Sequence, residues 1–458
     1  MLACIRCGLC LTSCPTYVLS LDESEGPRGR VGMARALAEG QLDVTPVLVE
    51  HELNCLVCDA CTAVCPAGVH MDPLQVALRA ALESDPRSAV GPARRPWRVQ
   101  LTRRLVFGWL FMDLARFRLL ARVLWLYQRL GARWLARHLG ILRLLGLERA
   151  EALLPDLPRA FVIPHDEVYA AAPGAAVPAL ASPSVASMGP PTPGTERSVG
   201  PAGSPGSERS AGAERSTGTP AAFFAGCVMS TALAEIDRAT IRVLQRAGFE
   251  LRNPARQGCC GALHAHGGDV ARAMQLAKAN IAAFEDTAGP IVVNSAGCGA
   301  MLKDYAHHLR LDPEWSEGSK VFSARVRDFS EVLADRPLPI TQQLHAKVVV
   351  QDACHLLHAQ RVSRQPRDLL RRIPGVALAE IDEPGLCCGS AGVYNITNPV
   401  QSRQLQQRKL DNALAACPAV IVTTNPGCLL QLKSGLAERR GTVRVVHLAE
   451  VLDEASRP

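Results

Sequence analysis

The sequence predicts an α+β multidomain protein: a small helical domain at the amino end, a basic helical segment, a disordered linker, and one α/β domain present twice. Three observations carry that prediction. Eight cysteines open the chain in two matched runs, Cys4-x-x-Cys7-x-x-Cys10-x-x-x-Cys14-Pro15 and Cys55-x-x-Cys58-x-x-Cys61-x-x-x-Cys65-Pro66. The stretch 170–220 is dominated by Ala, Pro, Gly and Ser. Beyond it the chain repeats itself with a period too long for a solenoid unit and right for a duplicated domain.

The cysteine runs set the character of residues 1–90. Their spacing is the bacterial-ferredoxin pattern for a pair of [4Fe–4S] clusters, in which three closely spaced thiolates wrap one cube and the fourth ligates the other. By that rule Cys4, Cys7, Cys10 and Cys65 hold one cluster, and Cys55, Cys58, Cys61 and Cys14 hold the other. The prolines after Cys14 and Cys65 turn the chain away so that the fourth thiol can cross over. A single CxxC would compete poorly with zinc or a redox dithiol; two complete runs, each closed by Cys-Pro, leave those readings little room. Val31–Glu39 and Val69–Glu83 (Leu74, Ala77, Leu78, Ala81 and Leu82 at three-and-four spacing) predict helices. The expected domain is therefore α-helical and ferredoxin-like, wrapped around two clusters.

At 458 residues the chain has room for about three domains, each able to bury a core. Seventeen cysteines in a long chain without a signal peptide read as metal ligands in a reducing cytoplasm rather than a disulfide framework. Met1-Leu2-Ala3 runs straight into Cys4, which leaves no room for an export signal and almost no scaffold ahead of the first ligand. The native start is expected upstream.

Residues 91–169 form the basic segment. Thirteen arginines lie between Arg94 and Arg149 against only Asp113 and Glu148, whereas the first ninety residues are net acidic. Leu101, Leu105, Trp109, Met112, Leu119, Val123, Leu126 and Leu130 recur near helical spacing, predicting a long amphipathic helix over 97–149 with arginines on its other face. Asp113, Arg116, Arg118 and Arg122 interrupt any run of eighteen apolar residues, so no transmembrane span is expected. Three readings of the segment stand: an interfacial helix on anionic lipid, a docking face for an acidic partner subunit, or a helix packed on its own cluster domain. Residues 170–220 carry too few large apolar groups to offset their ordering entropy and are expected to be a flexible linker without chemistry.

The two copies are placed at 221–340 and 341–458. Each begins with an apolar strand and a cysteine (Cys227; Cys354), runs to Cys-Cys-Gly (Cys259-Cys260-Gly261; Cys387-Cys388-Gly389), and reaches Gly-Cys after another strand (Cys298; Cys428). They end alike, 326–333 beside 445–452. Helices are expected at Thr231–Ala247, Asp269–Phe284, Ser363–Arg372 and Pro399–Ala416, and such alternation gives a parallel sheet. In an open parallel sheet the loops at the carboxyl ends of the strands share one edge, so these four cysteines should converge on one crevice per copy. Four thiols suffice for one further cluster. A redox-active Cys-Cys pair and plain buried cysteines are the competing readings. Cys417 has no counterpart and reads as structural.

Weaker signals are His264, His266 and His355, which neighbour these cysteines, and Gly26-Pro27-Arg28-Gly29-Arg30, which places cations near anionic clusters. Copy two has no histidine opposite the first two, against a shared ligand role.

Taken together, CIRCGLCLTSCPTY, DESEGPRGR, CLVCDACTAVCPAGV, GCCGALHAHGG, NSAGCGAMLKDY and LCCGSAGVYN resemble the glycolate oxidase iron–sulfur subunit, over most of the chain but not the linker at 170–220. The resemblance implies two CCG domains and a chain that relays electrons, with no catalytic residue of its own. Partner FAD subunits would oxidise glycolate to glyoxylate, and the electrons would pass to quinone or another acceptor at the cytoplasmic side of the inner membrane, with a peripheral membrane contact and no nucleic acid. No Gly-x-Gly-x-x-Gly follows a strand here, which agrees with FAD lying on partners alone. Related chains serve glycerol-3-phosphate dehydrogenase or heterodisulfide reductase, so a glycerol-3-phosphate or lactate dehydrogenase subunit and a disulfide reductase are the alternatives. Heterodisulfide reductase domains often end in Cys-x-x-Cys, whereas Ser295-Ala296-Gly297-Cys298 and Asn425-Pro426-Gly427-Cys428 lack the first cysteine.

Overall fold

The computed structural model of the chain describes residues 1–91, 93–144, 146–173, 175 and 218–458, so most of the expected linker, 176–217, lies outside the described residues. Among residues 1–91 there are helices and loops and no strand. Proline stands in the first turn of Pro15–Ser20, Pro27–Ala38 and Pro46–Leu53, where its missing N–H removes no helical bond. The helices foreseen on either side of the second cysteine run form as Pro27–Ala38 and Met71–Ser84. Ala34, Leu48, Val49, Leu78 and Leu82 make the small core that joins them.

The long helix expected over 97–149 does not form as one element. The segment breaks into Trp97–Leu105, a π turn Val106–Leu110, and helices Leu114–Arg129, Ala132–His138, Ile141–Leu144 and Glu148–Ala152. Asp113 caps Leu114–Arg129 by accepting from the Ala115 N–H at 2.7 Å. Gly131, Gly140 and Gly146 punctuate the later pieces with φ of 75°, 67° and 68°. Nor is the basic segment helical to its end: it closes in the strand β1, His165–Tyr169. Among the described residues no helix is long and apolar enough to cross a membrane.

Each copy carries its own sheet. In the first, β2 (Thr219–Phe224), β3 (Phe249–Asn253), β4 (Ile291–Val293) and β5 (Val326–Asp328) are parallel, and β1 adds antiparallel to β3, giving the order β1-β3-β2-β4-β5. β2 starts at Thr219, inside the stretch expected as linker. In the second copy β6 (Ala346–Val350), β7 (Val376–Ala379), β8 (Val420–Thr423) and β9 (Arg444–His447) are all parallel in the order β7-β6-β8-β9. Leaving β1 aside, the two topologies are the same. Helices Ala234–Arg246, Val270–Phe284, Arg364–Arg371 and Pro399–Ala415 form where periodicity predicts them.

One apolar core runs through both copies, from Phe223, Leu251, Val292 and Phe329 to Val349, Ile421, Val446 and Leu452. Polar bonds hold the seam: Arg242 and Arg246 both pair with the buried Asp453, and the Ala296 N–H donates to the Thr424 carbonyl at 3.1 Å. The chain-end likeness has a physical counterpart. Asp328 with Glu331, and His447 with Glu450, build the same capping box at the start of Phe329–Ala334 and Leu448–Ala455.

Candidate metal centres

The two ferredoxin-type runs adopt one loop shape. In the first, Arg6 and Gly8 flank Cys7 with φ of 57° and 84°; in the second, Val57 and Asp59 flank Cys58 with φ of 50° and 59°. Left-handed backbone at three non-glycine positions is costly and rare, and it bends each loop around its cysteines. Two voids result. Cys14, Cys55, Cys58 and Cys61 line one, with Pro15, Thr16, Arg30 and Met71. Cys4, Cys10 and Cys65 line the other, together with Cys61, Arg28 and Val69. Cys14 is thus drawn to the second run and Cys65 to the first, while Cys7 is exposed and does not line either void. Among the described residues no group of three or more His, Cys, Asp or Glu is gathered tightly enough for a single metal ion. The donor set suits a larger, sulfur-bridged body that spreads its ligands: thiols around a void, backbone N–H groups of Val57 and Val69 at 3.4 Å from the sulfurs of Cys55 and Cys65, and cations close by.

Those cations are built in. Arg30, 1% exposed, donates to the Thr16 hydroxyl at 3.0 Å, the His51 carbonyl at 2.8 Å and the Glu25 carboxylate at 2.6 Å. Thr16 in turn lies 3.3 Å from the Cys14 sulfur. Arg79 donates to the Cys55 carbonyl at 2.6 Å and, across the domain boundary, to the His266 carbonyl at 2.7 Å. Burial pushes the Cys55 thiol up, and both guanidiniums pull against it. The Gly-Pro-Arg-Gly-Arg segment pointed to Arg30. Arg79 sits on Met71–Ser84 with no local motif around it, and only tertiary packing reveals it.

In the copies, every predicted cysteine follows the strand it was assigned to. Cys227 comes three residues after β2, Cys354 four after β6, and Cys298 and Cys428 lie in the first turns of Ala296–Lys303 and Pro426–Glu438, after β4 and β8. The Cys-Cys-Gly loops after β3 and β7 complete each set. Sulfurs of Cys227 and Cys259 are 3.7 Å apart, those of Cys354 and Cys387 4.0 Å, and those of Cys388 and Cys428 3.4 Å; Cys260 also bonds Cys298. All seventeen cysteines are free thiols, and Cys417 is exposed and apart. Hydrogen bonds from Cys227 and Cys260 pull the Cys259 thiol well down against the effect of its burial. Glycine after each pair is obligatory: Gly389 has φ 83°, and a Cβ there would sit 2.6 Å from the Ser402 carbonyl oxygen.

Each crevice has a cap, and the caps differ. Over copy two lies the second ferredoxin-type run: Leu56, Cys58 and Ala60 share an apolar cluster with Cys387, Tyr394 and Leu405, and the His355 Nε2 lies 2.8 Å from the Val57 carbonyl. Over copy one lies the basic segment: Leu114, joined by Val76 of the helix Met71–Ser84, packs in one cluster with Cys227, Cys259 and Cys260, and the His264 Nε2 lies 2.8 Å from the Phe107 carbonyl. His266 neither bonds a thiol nor caps; it stands 3.7 Å from Asp72, and burial holds its pKa well down.

Comparison with known proteins agrees with this architecture. Residues 3–69 match the 4Fe–4S dicluster domain, 98–154 the linker region of the glycolate oxidase iron–sulfur subunit, and 221–303 and 348–433 the cysteine-rich CCG domain. The chain, over its full length, is 36% identical to the probable glycolate oxidase iron–sulfur subunit of Bacillus subtilis (strain 168), of which it covers 94%. Over 99% of its length it is 29% identical to the glycolate oxidase iron–sulfur subunit of Escherichia coli (strain K12), covering 93% of that protein. Half of it is 29% identical to lactate utilization protein A of Geobacillus kaustophilus (strain HTA426), covering 97%. With a dicluster domain, two cysteine-rich domains and the family's own linker in a single chain, this protein belongs to the glycolate oxidase iron–sulfur subunit family and is an iron–sulfur component of an oxidoreductase complex.

Proposed function

We propose that this chain is the electron-transfer subunit of a glycolate oxidase: partner FAD subunits oxidise glycolate to glyoxylate, and this chain carries the electrons to quinone or another acceptor on the cytoplasmic side of the membrane. Cys4, Cys7, Cys10 and Cys65 hold one [4Fe–4S] cluster, and Cys55, Cys58, Cys61 and Cys14 hold the second. The observation that carries the reading is the crossover, with Cys14 lining the void of the second run and Cys65 that of the first. When bound, each cluster takes up and releases one electron. The chain supplies the rest. The buried guanidiniums of Arg30 and Arg79 offset negative charge at Cys14 and Cys55, the Val57 and Val69 N–H groups bond ligand sulfurs, and apolar packing of Cys58 against Cys387 excludes water between the domains. The four thiols of each copy are the places for any further cluster.

Anaerobic isolation with its flavoprotein partners, followed by iron and sulfide analysis and EPR, tests the reading. Glycolate should reduce the signals of two clusters. The similarity of half the chain to lactate utilization protein A favours lactate as the second reading. A complex reduced by lactate and indifferent to glycolate would establish it, and disulfide reduction by this chain alone would point to the third.

A further inference from the structure

The basic segment turns its apolar side outward. Along Trp97–Leu105 and the π turn, Trp97, Leu101, Leu105 and Trp109 recur every fourth residue, and all are exposed; Trp97–Leu105 buries no residue at all. Along Leu114–Arg129 only Leu114 and Ala121 are buried, while Leu119, Val123, Leu126 and, just beyond, Leu130 form a second exposed stripe, 61%, 54%, 45% and 78% accessible. Trp134 and Leu135 continue it on Ala132–His138, which again buries nothing. An ordinary surface helix does the reverse, facing its apolar stripe to the core.

Charge says what covers these stripes. Arg122 and Arg129 lie between the exposed apolar positions of the second stripe, and Arg98 and Arg104 beside those of the first. Among the described residues none of these four has a carboxylate partner, whereas Arg103, Arg116, Arg133, Arg137 and Arg143 do. Arginines 98, 116 and 129 stack over Trp97, Trp109 and Trp125 at 5.5, 5.0 and 5.8 Å. Leucine and tryptophan on a helix too short and too charged to span, interleaved with uncompensated arginine, is the make-up of a helix lying in the headgroup layer of an anionic bilayer.

Resting on the electron-transfer reading above, we propose that residues 97–135 are a monotopic docking surface for anionic phospholipid, inserting Trp97, Leu101, Leu105, Leu119, Val123 and Leu126 while Arg98, Arg104, Arg122 and Arg129 engage phosphate. The surface brings the chain to the layer where a lipid-soluble acceptor resides.

The test is flotation of the full-length, cluster-loaded protein with vesicles of phosphatidylcholine alone or with one third phosphatidylglycerol. Binding should require phosphatidylglycerol, shift tryptophan emission to the blue, and weaken at about 1 M salt, where screening shortens to roughly 3 Å. Arg122→Glu with Arg129→Glu should lower vesicle affinity by more than roughly tenfold, and Leu119→Ser with Leu126→Ser should abolish the emission shift, with iron content and EPR signals unchanged. Equal binding to both vesicles, or none, overturns the proposal while leaving the electron-transfer reading intact, since that stands on iron and EPR. Protection of residues 114–130 from hydrogen exchange by the flavoprotein partners but not by vesicles overturns it in favour of a protein interface.

Discussion

His264 and His355 do equivalent work from non-equivalent places. One follows the Cys-Cys-Gly of copy one by three residues, the other follows the first cysteine of copy two directly, and each places Nε2 2.8 Å from a carbonyl of a segment roofing its crevice, Phe107 in one case and Val57 in the other. A duplicated domain has thus acquired two different roofs, and each roof is tied down by an imidazole.

His355→Ala should loosen the loop that holds Cys58, at a cost of about 1 to 2 kcal/mol, because the Val57 carbonyl loses its donor. His264→Ala should leave that loop alone and loosen the basic segment instead. Hydrogen exchange at 55–61 and at 106–114 separates the two. Coincident loosening in both variants would contradict independent roofs.

Cys14→Ser and Cys65→Ser should each remove one cluster, and crosswise: the Cys14 variant loses the cluster of the second run, the Cys65 variant that of the first. Iron should fall by roughly half of the ferredoxin-type complement in either case. EPR of the two variants should show complementary signals.

Arg79→Met should lower the potential of the cluster at Cys55, since a positive charge nearby favours the more negative, reduced state. A shift on the order of tens of millivolts is expected, with Arg79→Lys in between. A redox titration followed by EPR reads it directly, and an unshifted midpoint would show that Arg79 serves only to bind domain to domain through His266.

Gly389→Ala should be among the most damaging single-methyl changes in the chain, since it adds a clash with the Ser402 carbonyl to a left-handed φ of 83°. Gly32→Ala, in the helix Pro27–Ala38 with nothing within 4 Å, should instead stabilise by about 0.5 to 1 kcal/mol. Thermal melts of the two proteins should move in opposite directions.

Acid should weaken the seam between the copies through His447. Its Nε2 meets the Asn294 carbonyl at 2.9 Å and its Nδ1 accepts from the Ala449 N–H at 3.1 Å, so the ring is bonded in its neutral form, and burial lowers its pKa to about 4. The unfolded chain takes up this proton near pH 6.5, the folded one only near 4. The stabilisation is therefore whole above pH 6.5, drains away as pH falls, and is gone near pH 4, a loss on the order of 3 kcal/mol. His447→Gln should flatten that part of the profile in urea unfolding.

Much of this molecule was open to reading one residue at a time. Cysteine spacing and the strand–cysteine–helix repeat are local patterns, so the dicluster domain, the duplication, the helix positions and the gathering of Cys227 with Cys259, or Cys388 with Cys428, could be read before any coordinate. Periodicity also marked Leu101, Leu119 and Leu126 as one-sided, yet it could not say whether that side faced in or out, nor place the glycine breaks that turn one expected helix into several. Those outcomes belong to packing between segments far apart in the chain. Arg79 beside Cys55, His264 under Phe107, the exposed leucine stripes and the neutral His447 at the seam all arise where separate elements meet, and energies of that kind depend on three-dimensional neighbours that a linear order of residues does not name.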